Sequence, residues 1–575
     1  MKSTTIRLLT PLLASLFALT TGCADAKSGV NDTGVARDTP SEGEEPRGTR
    51  PIKEILESDL YRLVADQLYV YNETAGIYAL DLSDPQVPMI RAHQEIFGPA
   101  GELYAHDGKL VVVLEQASIG CIAPEGMPAS YQGSEIVVLS DRGDALEVES
   151  RTCLAGRLTD TRLRGDVLYA VTGESDRDRT FAFSLDLADP REPRLAGQVE
   201  LPGESREIFL NDQVLYVARA TAPENDSGWA PETLVTFIDI SRLDGQIRER
   251  GSVRLPGSPQ GRFHMDAHQQ TFRIVTFDES AWSSSLHVID ASRPDHLQVV
   301  GTLEGLAEGE NLHATRFVGE RAYVVTWQQV DPLWVIDLSD PTRPSIMGEL
   351  EIPGWSDFIF PREGGRLLTV GRGPSMGIAV SLFDVTEPSR PAQLATVEFG
   401  DGASQSEAIG DFRGAQILEQ GALGEGSLPL IAIPTATETY VEGSGDWACL
   451  PALHLVDLNG DQLRVRGSVV AEGAIRRSFA AGGQLLALTD LELRSLDVSD
   501  RDQPRTTASV ALGNEETARY ACEWTDERVW GGMWMGDDMV MACSADATST
   551  SGPGAALALA LIFGAIGLLR PRRRR

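Results

Sequence analysis

One phrase returns about every 50 residues between residues 55 and 515, and it limits what the chain can fold into more than any other feature. It consists of alternating apolar side chains that run into Asp, an apolar residue and Ser or a close variant, followed by Asp or Glu and Pro. It reads IYALDLSDPQVP at Asp81, FSLDLADPREP at Asp186, VTFIDISRLD at Asp239, LHVIDASRP at Asp290 and LWVIDLSDPTRP at Asp337. It continues as SLFDVTEPSRP at Asp384, LHLVDLNGD at Asp457 and RSLDVSDRDQP at Asp497, with a weaker copy, IVVLSDRGD, near Leu139. A second strand-like pattern precedes each phrase (DVLYAVTGE from Asp166, RAYVVTW from Arg321), and a third follows it (RLAGQVELPG ending at Gly203, SIMGELEIPG ending at Gly354).

Alternation with period two, β-branched and aromatic residues, and Asp/Pro/Gly breaks give about four short strands per unit, with no helical periodicity in the body. A four-stranded sheet of this kind has two apolar faces, and it can shield both only by stacking against neighbouring copies in a ring. The expected fold is therefore all-β: a β-propeller of four-stranded antiparallel blades, with a hydrophobic helix at the C-terminus. Nine copies are legible, but the outer ones could be shared in closing the ring, so about eight blades are expected, with seven or nine admissible. The recurring Asp and Ser need no chemistry to explain them. Their side chains bond backbone amides two residues on, and Pro stops the strand.

The ends read as export signals. Lys2 and Arg7, an apolar run from Leu8 to Leu19 and TTGC ending at Cys23 form a secretory signal too short to span a bilayer. The small residues before Cys23 resemble a bacterial lipobox, which implies lipidation of Cys23. Residues 24–50 read as a disordered acidic tether, 51–542 as the propeller and 543–554 as a small-residue spacer. Residues 555–575 read as a membrane or sorting segment. The apolar run from Ala555 to Leu569, as a helix of about 1.5 Å per residue, reaches only roughly 23 Å, and the terminal arginines would hold it on the cytoplasmic side. Cys543, this spacer, the short helix and RPRRRR together resemble the C-terminal sorting signals of myxobacterial surface proteins, which implies processing at Cys543. Cys23 and Cys543 thus belong to processing, which leaves Cys121, Cys153, Cys449 and Cys522 for disulfides in an oxidising compartment. Of the three possible pairings, Cys121–Cys153 is favoured and Cys449–Cys522 follows by elimination.

With 84 Asp and Glu against 50 Lys and Arg, a formal charge of −34, the surface is unsuited to nucleic acid. The segment GENLHATRFVGERAYVVTWQQVDPLWVIDLSDPTRPSIMGELEIPG (Gly309 to Gly354) resembles the exported bacterial and archaeal proteins that carry the domain called the β-propeller domain, distantly related to WD40 repeats. Similarity extends through GIAVSLFDVTEPSRPAQLATVEFG from Gly377, SQSEAIGDFRGAQIL from Ser404 and LPLIAIP from Leu428, back to FHMDAHQQTFRIVT from Phe263, and over most of residues 55–515. The resemblance implies this fold and an extracytoplasmic address, and no reaction. The chain departs from the family at Phe360 and Phe412, where His is frequent.

Candidate chemistry is sparse. His264, Asp266 and His268 alternate on an expected strand and could touch a shallow metal site from one side. Asp457-x-Asn459-x-Asp461 looks like a calcium loop, but Gly460 precedes Asp461 and Ser468 stands where a bidentate Glu is needed. No cofactor is expected, calcium being the one candidate. GPSMG around Ser375 has nucleophile-elbow spacing but falls between β units rather than at a strand-to-helix turn. Trp327, Trp334, Trp355, Trp447, Trp524, Trp530 and Trp534 pack between sheets or form a recognition cluster. The Trp- and Met-rich stretch 520–544 is expected to close the ring, cover the channel or meet a partner. The leading reading is a non-enzymatic propeller, anchored by its ends to the membrane at the cell envelope, that binds a protein or glycan. The alternative is an envelope enzyme with a metal site in the channel, which needs convergent His or carboxylate side chains from several blades.

Overall fold

The computed structural model describes residues 55–513 apart from 97, 99–100, 116–132, 175–177, 222–231, 328–330 and 441–446. Each legible phrase forms the third strand of its own sheet. Blades 1 to 9 comprise residues 61–94, 102–155, 157–202, 204–256, 265–306, 311–352, 355–399, 416–470 and 475–511, and in every one the four strands pair antiparallel in sequence order. Nine blades therefore replace the expected eight, within the admitted range. The outer copies are not shared, because residues 61–94 and 475–511 each supply a full set of four strands. The weak copy near Leu139 belongs to a complete blade as well.

Nine hydrophobic clusters join consecutive blades, and the ninth joins blade 9 to blade 1. At that seam Tyr61 stacks on Phe479 with centroids 4.3 Å apart, and the Asn72 amide donates to the Asp490 carbonyl at 2.8 Å. The ring thus closes through side-chain packing between whole blades.

The turn phrase works as the residues dictate. The backbone N–H groups of Ser83, Ala188, Ser241, Ser292, Ser339, Thr386 and Ser499 donate to the carboxylates of Asp81, Asp186, Asp239, Asp290, Asp337, Asp384 and Asp497 at 2.8–3.1 Å. Asp457 differs: it is buried and paired with Arg466 and Arg501, while Asp461 is paired with Arg366. The supposed calcium loop is an arginine-clamped hairpin.

Antiparallel order puts the turns between strands 1 and 2 and between strands 3 and 4 at one rim of every sheet. Loops between strands 2 and 3, and the links between blades, lie at the other. One surface of the disc is therefore made of short Asp-capped turns. The opposite loop face carries a four-residue helix, Glu407–Gly410, and two 3-10 turns, Arg262–His264 and Phe412–Gly414.

No helix of the described residues is long and apolar enough to cross a membrane. The signal, tether, Cys23, Cys121, Cys522, Cys543, the spacer, the C-terminal segment and the stretch 520–544 lie outside the described residues. Cys153 and Cys449, on strands of blades 2 and 8, are both disulfide-bonded.

Candidate functional site

The first strand of each blade faces the axis, and in blades 3, 4, 6, 7 and 9 it is irregular at the same place. The register shifts fall between Leu158 and Asp160, Ser205 and Glu207, Leu312 and Ala314, Ser356 and Phe358, and Ile475 and Arg477. An extra residue in a strand re-aims the side chains beyond it. Charged groups from distant parts of the chain meet there.

Residues 55–60 lie outside the four strands of any blade and occupy the channel, with the Leu60 carbonyl accepting from the Tyr71 backbone N–H of blade 1 at 2.8 Å. Ile55 and Leu56 pair with Arg164 and Leu163 on the free edge of blade 3, and Asp59 exchanges backbone hydrogen bonds with Leu103 of blade 2. The Glu57 carboxylate lies 2.5 Å from Arg262 and 3.2 Å from Arg162. Burial pushes this carboxyl up, but Arg162, Arg262 and Arg413 outweigh it and hold it at about 2. Arg477 reaches Asp59 at 2.8 Å, Glu407 at 3.1 Å and Asp411 at 2.5 Å, while Arg413 donates to the Ser58 carbonyl at 2.6 Å and to Glu102 at 2.7 Å.

Phe412 of the link between blades 7 and 8 stacks edge-on to Phe263 at 5.0 Å and lies 6.1 Å from Phe358, with Arg262 over its ring. Phe412 thus sets an apolar ring, partnered by Phe263 and Phe358, beside this ionic network. Phe360 packs partly buried between blades 7 and 8. Glu207 alone among these carboxyls has no hydrogen bond or ion pair among the described residues. Burial, with Asp160 nearby, raises it to about 7 against the pull of Arg262 and Arg162.

His264, Asp266 and His268 are not brought together as an alternating strand would require. His264 lies in the 3-10 turn before the strand Met265–His268, is buried, and meets the Thr315 hydroxyl at 3.0 Å; burial, aided by His313, lowers it to about 3. Asp266 is clamped by Arg273. Ser375 lies in a loop fastened by donation from the backbone N–H groups of Ser375 and Gly377 to Glu398, at 3.0 and 2.8 Å. On the turn face, the ligand atoms of His106, Asp107 and Asp166 lie within 4.8 Å of one another, but Lys109 already sits 3.0 Å from Asp166.

On the loop face, blades 6 and 7 bring together Trp327, Trp355, His313 and Asp357. The two indoles are 4.5 Å apart, and His313 lies 6.0 and 5.5 Å from them. Trp355 Nε1 donates to Asp357 Oδ1 at 3.2 Å, and His313 Nδ1 faces the same oxygen at 3.5 Å. Asp357 Oδ2 is buried with no hydrogen-bond partner among the described residues. All four side chains are half-buried rather than sealed. Sequence reading singled out the tryptophans but missed His313 and Asp357, whose aim depends on the two irregularities.

Closed sheets around a filled channel, with an aromatic cluster at one rim, define the chain as a nine-bladed β-propeller. The beta propeller domain family model matches residues 203–501, over half of the chain, which belongs to that family. The match begins at blade 4, so it is narrower than the resemblance over 55–515. An uncharacterized protein of Methanocaldococcus jannaschii is 30% identical over 28% of this chain and 26% of its own length. An uncharacterized protein of Archaeoglobus fulgidus is 34% identical over 27% and 24%. The chain thus spans about a quarter of the length of these curated relatives. Among solved structures, Sqt1 from Chaetomium thermophilum aligns with a TM-score of 0.40 at 13% identity, covering 67% of this chain and 91% of that one.

Proposed function

We propose that this protein is an exported, envelope-anchored binding or scaffold module that presents its loop face to a glycan or protein partner. The observation that carries the reading is the Trp327–Trp355–His313–Asp357 cluster. Paired indoles offer flat apolar area, while the half-buried imidazole offers a polar contact that orients a ligand and Asp357 Oδ1 holds Trp355 and His313 in place. Disulfides at Cys153 and Cys449 agree with an oxidising compartment. The enzymatic alternative needs side chains free to converge in the channel, whereas Glu57, Asp59, Glu102 and Asp411 are all engaged by arginines. In the envelope, the N-terminal signal and C-terminal segment would supply the anchors.

The test is site-specific photo-crosslinking in intact cells from Met376 on the loop face and from Val87 on the turn face, both exposed. A defined adduct from Met376 that is lost with Trp355→Ala is the expected result. Equal labelling from both positions, insensitive to Trp355→Ala, would overturn the reading.

A further inference from the structure

We propose that the channel is a recognition site for an extended acidic peptide, and that residues 55–60, ILESDL, fill it in cis as an internal ligand. The proposal is independent of the loop-face reading. Three observations carry it. No residue of the segment belongs to the four strands of any blade or to the apolar cluster that joins blade 9 to blade 1. It is held as peptide ligands are held: Ile55 and Leu56 extend the free edge of the blade 3 sheet, and Asp59 makes a two-way backbone bridge to blade 2. Its charges and one backbone carbonyl are read by arginines from four separate stations around the ring. Arg162 of blade 3 and Arg262 before blade 5 take Glu57, Arg477 of blade 9 takes Asp59, and Arg413 before blade 8 takes the Ser58 carbonyl.

These contacts specify the ligand: two apolar residues, then carboxylates at alternate positions. Ile55 packs against the cluster between blades 3 and 4, and Leu56 against that between blades 2 and 3. Glu57 and Asp59 follow. Without the segment, the one carboxylate left to Arg262 in an ion pair among the described residues is Asp160, 3.8 Å away. A partner bearing this pattern would compete with a tethered segment whose effective concentration is on the order of millimolar, so exchange is expected only after the segment is weakened or displaced.

The probe is a synthetic ILESDL peptide with a photoreactive group in place of its final Leu, applied to the full chain. Wild type should give a weak adduct mapping to the strand Glu102–His106 or to Arg157–Arg164. The full-length Glu57→Gln/Asp59→Asn variant should give at least ten times more of the same adduct, and a peptide carrying Gln and Asn should give none. A folded variant without increased labelling would overturn the proposal. Should the variant fail to fold, wild type still decides: with millimolar peptide, adducts absent from those two strands, or unaffected by the Gln/Asn replacement, are equally fatal.

Discussion

Arg219 marks the least comfortable residue in the core. It is 1% exposed on the second strand of blade 4, one nitrogen donates to the Thr236 hydroxyl at 2.6 Å, and Nε and Nη1 have no partner among the described residues. Burial pulls its pKa down to about 10. In blades 5, 6 and 8 the same position is Thr276, Thr326 or Thr435, bonded to a ring on the third strand: His287 at 3.4 Å, Trp334 at 3.2 Å and His454 at 3.0 Å. Blade 4 transposes the pair, with the long side chain on the second strand and Thr on the third. Space is conserved, but a cation takes the place of a ring. Because the folded pKa is depressed, the penalty is fully present below about pH 10 and is relieved only as the pH rises above it. Arg219→Met is expected to stabilise the protein by about 1–3 kcal/mol across pH 6–9, read as a raised urea midpoint; a lowered midpoint would mean that the guanidinium has a partner worth more than its burial costs. Glu207 gives the complementary sign. Its folded pKa, raised to about 7, lies above the value of a free carboxyl, so the folded state loses stability as the pH climbs through that interval. Glu207→Gln should flatten the stability profile between about pH 5 and 8, which midpoints measured at those two pH values would reveal.

Much of the blade was legible in the sequence because its logic is local. The turn phrase caps itself within a few residues, and in several blades a glycine of the following strand makes room for the next turn. A Cβ on Gly301 or Gly348 would stand 2.2 Å from the carbonyl oxygen of Pro341 or Pro388 in the next blade's turn, and one on Gly251 would stand 2.4 Å from that of Pro294. Blades 4, 5 and 6 thus seat the Pro-containing turn of the next blade on a bare backbone, and Gly348→Ala is expected to cost about 1–3 kcal/mol through overpacking, measured by denaturant titration. The channel was not legible for the opposite reason. Arg477 and Asp59 are 418 residues apart, and nothing in the alternation of either strand reports the other. The irregularities that aim His313 and Asp357 likewise leave no mark in a period-two pattern. Blade 7 adds a third case. Gly371 and Ser381 stand where other blades hold Thr and a ring, and a small cavity lined by Ser356, Thr369, Gln393 and Thr396 remains beside them.

At the scale of the whole molecule, eight of the nine blade interfaces are reinforced by the chain that runs between their partners. The seam between blades 9 and 1 has no such link among the described residues. It depends on Tyr61, Leu68, Val70 and Leu80 packing against Phe479, Leu486 and Leu493, on the bond from Asn72 to Asp490, and on Asp59 reaching Arg477. In a ring of near-equivalent repeats whose energies are mainly nearest-neighbour terms, the interface without a covalent connection should open first. Phe479→Ala and Phe383→Ala both remove a fully buried ring, one at the seam and the other between blades 6 and 7, and each is expected to cost about 3–5 kcal/mol. The distinction lies in where protection is lost. Hydrogen exchange should accelerate in blades 1 and 9 together for Phe479→Ala, whereas Phe383→Ala should leave the amides around Leu68 and Leu486 as protected as in the parent protein. If both variants instead loosen all nine blades equally, the ring unfolds as one cooperative unit and the seam has no special weakness.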